Sequence, residues 1–230
     1  MKRMIFFMTM LVAFVGFTQN QDAVTLEKLK LKQAKAYSDQ NEMVNAMYNL
    51  IALEGDTSLY KDSLAYVYFD QRKYIQSFLV ADDILKRKPE SQELLEIHAI
   101  SLESIGVYDK AATSYSKIFR MNKSIYHGYK QASLLFGMKE YDQAIAVIKV
   151  IDAMPNPDEV KVSFQVNQNF TQQVDIKGAI AYLEGLTYAA QNKSEEAEKS
   201  FNRAILIYPD FVLAKTSLNN LKKAAEEKKE

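Results

Sequence analysis

The sequence predicts an all-α chain built from stacked pairs of antiparallel helices. Three observations carry that prediction. Helix breakers are scarce, with 7 Gly and 4 Pro in 230 residues, too few for the turns of an all-β fold or for Gly-rich phosphate loops. Small residues and aromatics recur in register: LEGLTYAAQNKSEEAEKSFNRAILIYPD, Leu183 to Asp210, aligns with LAYVYFDQRKYIQSFLVADDILKRKPE from Leu64, placing Tyr68 under Tyr188, Ser77 under Ala197, Ala81 under Phe201 and Pro89 under Pro209. The copies are also evenly spaced, 34 residues from Tyr74 to Tyr108 and 33 from Tyr108 to Tyr141.

The first segment stands apart from the repeats. Lys2 and Arg3 precede the apolar run Met4 to Phe17, and the polar stretch Thr18 to Asp22 follows. A short basic region before roughly 7–15 apolar residues is the pattern of a secretory signal peptide, assigned here to 1–20, with cleavage after Thr18 one option. A membrane anchor needs about 20 apolar residues, so no stable membrane insertion is expected once the leader is removed. The expectation is an exported protein, soluble in the periplasm, with an extracellular site the alternative. The chain has no cysteine, so it has neither disulfide staples nor a thiol for lipid attachment, and its fold must rest on packing.

The repeat domain is expected over 24–226, with about four to five helix pairs. A degenerate copy, AKAYSDQNEMVNAMYNLIALEG, opens it and carries Ala34, Tyr37 and Ala46 at the repeat spacing, with Met43 in place of the turn aromatic. In the clear copies Ala65, Ala99, Ala132 and Gly185 fill a small slot in the first helix of each pair; Ser77, Ala111, Ala144 and Ala197 fill one in the second. Helices cross closely only where side chains are small, so a bulky residue at Ala111 or Ala144 should cost about 1–3 kcal/mol by overpacking. Pro89, Pro155, Pro157 and Pro209 all fall where a second helix must end.

Between 158 and 177 the helical period fails. VKVSFQV alternates, with Val160, Val162, Phe164 and Val166 on one side; Asn167 to Asn169 read as a turn; Val174 and Ile176 share a side in TQQVDI. This predicts a short β-hairpin or extended arm near 160–176, either covering helix ends or presenting Gln165, Gln168, Gln172 and Gln173 to a partner. After Pro209, the stripe Phe211, Leu213, Ala214, Leu218 and Leu221 on an otherwise polar segment predicts a capping helix over 211–226, closing the last unit with a solvated face. The Lys/Glu tail beyond Ala225 reads as a fraying end.

A two-helix unit repeating every 34 residues or so resembles the tetratricopeptide repeat (TPR) family. The resemblance covers roughly Asp56 to Pro209 and extends to the turn aromatic, filled by Tyr74, Tyr108 and Tyr141 but replaced by Ser194. Gly106 keeps the family's turn glycine; Arg72, Lys139 and Asn192 do not. The insert before the last repeat is similar to one in secreted bacterial members. The resemblance implies a TPR solenoid whose first helices line a concave face, and repeat register assigns Asp62, Tyr66, Phe69, Asp70, Glu96, Glu103, Tyr129, Phe136 and Tyr182 to that groove as candidate partner-binding residues. Members that hold chaperone C-terminal carboxylates use groove Lys and Asn. Here those slots hold Asp62, Tyr66, Glu96, Ile100, Tyr129 and Ser133, so that activity is not implied.

No catalytic constellation stands in the sequence. The motifs G-x-S-x-G, G-x-x-x-x-G-K-[ST] and H-E-x-x-H are all missing, and no cofactor or metal is implied. Of the two histidines, His98 is expected to pack beside Ala99 and His127 to lie on the surface. Lys+Arg and Asp+Glu both number 29, which gives no basic excess for nucleic acid. The expected function is therefore non-catalytic: a scaffold or adaptor that binds another protein or peptide in the cell envelope. The alternative is carbohydrate binding, with Tyr66, Tyr129 and Phe136 as stacking platforms.

Overall fold

The computed structural model describes residues 21–156 and 159–227, so the expected leader, 1–20, and Pro157 lie outside the described residues. Eleven helices and one hairpin account for most of them. In chain order these are α1 (21–36), α2 (Gln40–Glu54), α3 (Leu59–Asp70), α4 (Tyr74–Leu85), α5 (Gln92–Ser104), α6 (Tyr108–Asn122), α7 (Ile125–Gly137) and α8 (Tyr141–Asp152). The strands β1 (Lys161–Asn167) and β2 (Phe170–Asp175) follow, then α9 (Ile176–Ala190), α10 (Ser194–Ile207) and α11 (Val212–Glu227). None of these helices is long and apolar enough to cross a membrane. The chain forms two compact units, which meet in sequence inside α5, between Ser101 and Leu102.

In the first unit α2 packs on α3 and α3 on α4. Leu31, Ala46, Met47, Leu50, Leu64 and Tyr68 form one core cluster, and Ala65, Ala81, Ile84 and Leu94 another. The small slots perform as their spacing predicts. Ala65 and Ser77 are wholly buried, and the Ser77 hydroxyl donates to the Ala65 carbonyl at 3.1 Å. Only a side chain this short lets α4 lie against the α3 backbone. Tyr37 of the degenerate copy is 81% exposed, whereas Ala34 and Ala46 are buried.

In the second unit the first core gathers Tyr129, Ala132, Ile148, Ile151, Ile180 and Leu183 from α7, α8 and α9. A second joins Val174, Tyr182, Ala197, Phe201, Phe211 and Leu218. Gly185 lies so close to α10 that a Cβ there would stand 2.5 Å from the Phe201 ring. Full burial of one such aromatic is worth about 1.5–3 kcal/mol.

The turns inside each pair share one device. Ser38, Arg72, Gly106, Lys139 and Asn192 each take a positive φ, between 56° and 80°. The backbone therefore adopts the glycine-favouring turn even where the family glycine is replaced, at about 1–2 kcal/mol for a left-handed non-glycine residue.

The insert is a two-stranded antiparallel hairpin with a two-residue turn, Gln168 and Asn169, and Val162 opposite Val174. Its neck is tied. The Asn156 amide donates to Asp175 Oδ2 at 3.0 Å, Val160 N–H donates to Asn156 Oδ1 at 3.0 Å, and Ile176 N–H donates to the Val160 carbonyl at 2.9 Å. Asp175 then caps α9 by accepting from Lys177 N–H at 2.7 Å. The Lys177 ammonium donates to the Asp152 carbonyl at the end of α8 (2.5 Å), and Arg203 bridges Asp152 (2.8 Å) and Glu184 (2.9 Å). The chain thus leaves α8 and returns beside it, which keeps α8 against α9 despite the insertion.

One expectation is corrected here. His127 is buried, 7% exposed, because its ring stacks on Tyr115, meets the edge of Tyr126 and contacts the Asn122 amide at 3.4 Å. His98 is buried as expected, packed on Phe78 with Nε2 at 3.6 Å from Asp82.

Candidate functional site

The nine groove candidates divide between the two units. In the first, α3 carries Asp62, Tyr66, Phe69 and Asp70, and α5 carries Glu96. Tyr66 is the exposed aromatic of this set, at 38%. Its hydroxyl donates to Glu93 Oε2 at 3.2 Å, which joins α3 to α5. Burial of part of its ring, then the Glu93 charge and hydrogen bond, then the charges of Asp62 and Glu96, hold the phenol above its ordinary pKa. The surface around Tyr66 is therefore acidic. Lys88 offsets part of it through an exposed ion pair with Asp62 at 2.5 Å. Phe69 is half-buried, its ring edge-on to Tyr74 at 6.0 Å, and Asp70 is exposed.

In the second unit Glu103 accepts from the Tyr115 hydroxyl at 2.9 Å and from the Lys130 ammonium at 2.5 Å; Lys130 also sits 5.7 Å above the Tyr115 ring. Tyr129 and Tyr182 are not presented as a face. Both are buried, at 7% and 8% exposure, and belong to the two cores. Burial raises the Tyr129 phenol far above its ordinary pKa. The Tyr182 hydroxyl reaches Ser217 on α11 at 3.3 Å, and its ring lies 4.9 Å from that of Phe211. Phe136 is half-buried against the first core of this unit and 6.0 Å from Tyr141. Of the three aromatics read as stacking platforms, only Tyr66 is exposed.

The glutamine-rich insert also differs from the presented edge. Gln172 is buried, and its amide is taken up by Asp210 and Val212. Gln173 donates to Ser163 at 2.7 Å, and Gln165 is engaged with Asn167 and Thr171. No three His, Asp or Glu side chains among the described residues gather as a metal site.

A concavity at another place escaped the sequence reading. An open cleft of about 350 Å³ lies in the second unit between α6, α7 and the start of α8, with Ala112, Leu135 and Met138 on its floor. It belongs to a second helix and the pair that follows, not to neighbouring first helices. The stripe Asp109, Ala112, Thr113, Ser116 and Arg120 at helical spacing on α6 is the signal that could have found it.

No protein-family model matches the chain, and no curated protein resembles it in sequence. Solved structures do. YrrB, a TPR protein with an unusual peptide-binding site, superposes with a TM-score of 0.63 at 14% identity, over 89% of this chain and 96% of YrrB. MamA from Desulfovibrio magneticus RS-1 gives 0.58 at 16% identity, over 76% of this chain and 89% of that one. The chain has the tetratricopeptide-repeat fold. Another MamA structure agrees, with a TM-score of 0.58 at 15% identity over 80% of this chain and 91% of its own. In TPR terms α1/α2 and α3/α4 in the first unit and α7/α8 and α9/α10 in the second are repeats among the described residues, α5 and α6 carry the repeat sequence between them, and α11 is the cap.

Proposed function

We propose that this TPR protein is a non-catalytic scaffold of the cell envelope that binds a protein or peptide segment carrying positive charge. The observation that carries the reading is the exposed Tyr66 ring set among Asp62, Glu93 and Glu96 on the first helices of the first unit. A tyrosine already tied to a neighbouring helix offers apolar area at little entropic cost, and the carboxylates around it favour a cationic partner. YrrB, with its peptide-binding site, supports the class of ligand. The basic and apolar pattern at 2–17 supports export.

The test is fluorescence polarisation with a labelled peptide of alternating Lys and Leu against its Glu and Leu counterpart. The basic probe should bind, weaken several-fold on Tyr66→Ala or Glu93→Gln, and weaken further as salt screens the contact. Equal binding of both probes, or folded variants that bind like the wild type, refutes the site. Osmotic-shock fractionation tests the location: a chain retained in the cytosol with Lys2 still attached refutes export.

A further inference from the structure

We infer that the cleft between α6, α7 and α8 is a second peptide site, one that takes a short extended segment with a basic residue at one end, an apolar residue in the middle and an acidic residue at the other. The inference rests on the protein-binding reading above and gives it a second, chemically different contact surface.

The lining sorts by position. Asp109 stands in the first turn of α6 and Glu140 immediately before α8, so carboxylates mark one end of the cleft. Arg120 stands eleven residues further along α6 and marks the other. Along α7 and its C-terminal cap the order Gln131, Leu135, Met138 leads to Glu140, so the apolar pair lies on the carboxylate side of Gln131. At 1.5 Å per helical residue the charged ends are about 16 Å apart. An extended peptide advances about 3.3 Å per residue, so about five residues span them. The volume of about 350 Å³ suits one or two apolar side chains and the backbone between them.

The polar groups available fit this occupant. Ser116, Arg120 and Gln131 make no side-chain hydrogen bond among the described residues. The guanidinium is free to take a carboxylate in a bidentate grip, and the Gln131 amide offers a donor and an acceptor to a passing peptide backbone. The Gln143 amide donates to Glu140 at 2.9 Å, which steadies that carboxylate at the acidic end of the cleft. A wholly basic peptide meets Arg120 as a like charge, and a wholly acidic one meets Asp109 and Glu140.

The experiment uses the full chain and three labelled pentapeptides, each with Leu-Ala-Leu between its ends: Lys and Glu, Lys and Lys, or Glu and Glu. The mixed-charge peptide should bind most tightly. Arg120→Glu should weaken it about tenfold and bring the Lys and Lys peptide up to at least the same affinity; Leu135→Ala should weaken every peptide. Circular dichroism confirms that the variants are folded. Failure of the wild type to prefer the mixed peptide, or an Arg120→Glu variant with unchanged preference, overturns the cleft. Tyr66→Ala should leave the mixed-charge peptide unaffected. If the Tyr66-dependent basic probe binds while Arg120→Glu changes nothing, only the cleft proposal fails; if neither dependence is found, both readings fail.

Discussion

The side-chain carbonyl of Gln172 accepts the backbone N–H of Val212 at 3.1 Å, across forty residues of chain. The same amide donates to the Asp210 carbonyl at 2.5 Å. Val212 opens α11, and the residue before it, Phe211, has no side-chain oxygen to cap a helix. Gln172 therefore supplies from the hairpin the cap that the helix lacks. Gln172→Ala should cost about 0.5–1.5 kcal/mol, since a helix-terminal N–H and a carbonyl lose their partner at a half-buried place. Hydrogen exchange should rise along α11 first. Gln165→Ala, on an exposed position of the neighbouring strand, should stay within about 0.5 kcal/mol of wild type.

Gly185 and Gly137 make an opposed pair. At Gly185 a new Cβ would meet the Phe201 ring at 2.5 Å, and that ring is 1% exposed and confined by Tyr182. Gly185→Ala should lower stability by about 1–3 kcal/mol through overpacking, against a helix-propensity gain of at most about 1 kcal/mol. At Gly137 nothing lies within 4 Å of the added carbon. Gly137→Ala should raise stability by about 0.4–1 kcal/mol. Urea denaturation of both variants checks the two signs.

Tyr66 gives a pH signature. Its phenol titrates above the ordinary value of 10.0 because burial, Glu93, Asp62 and Glu96 all disfavour the phenolate. A raised folded-state pKa contributes stability that is fully present below the unfolded value and lost as pH rises through the folded one. Wild type and Tyr66→Phe should therefore diverge only above about pH 10. Glu93→Gln should bring the Tyr66 midpoint down without restoring the ordinary value, because burial remains. Difference titration of phenolate absorbance against Tyr66→Phe measures both. An unmoved midpoint in Glu93→Gln would remove Glu93 as a cause.

The repeats were legible because their packing depends on residue size at a fixed period. Ala65, Ala111, Ala132, Ala144 and Ala197 are all fully buried, and each is small for a reason visible in one dimension. The hairpin was legible from two-residue alternation, and that alternation also held the clue to Gln172, which shares a face with Val174. Its polar side chain suited either a covered helix end or a partner outside the chain, and it meets the start of α11. Tyr129 and Tyr182 were harder. Helical periodicity gives a first helix an inner and an outer side, but not which inner positions the next repeat covers. The turns at Arg72, Lys139 and Asn192 were placed by the repeat, but not their left-handed φ, which these residues do not favour on their own.

The neck at Asn156 and Asp175 and the clasp at Gln172 together tie the face of the last repeat to the hairpin. A solenoid ordinarily grows by adding a copy to its open end. Here that end is sealed twice, by α11 and by the ribbon holding α11 down, with Phe164 and Val174 wedged into the last repeat's core. Another helix pair could pack on that face of α10 only by displacing α11 and the ribbon that holds it.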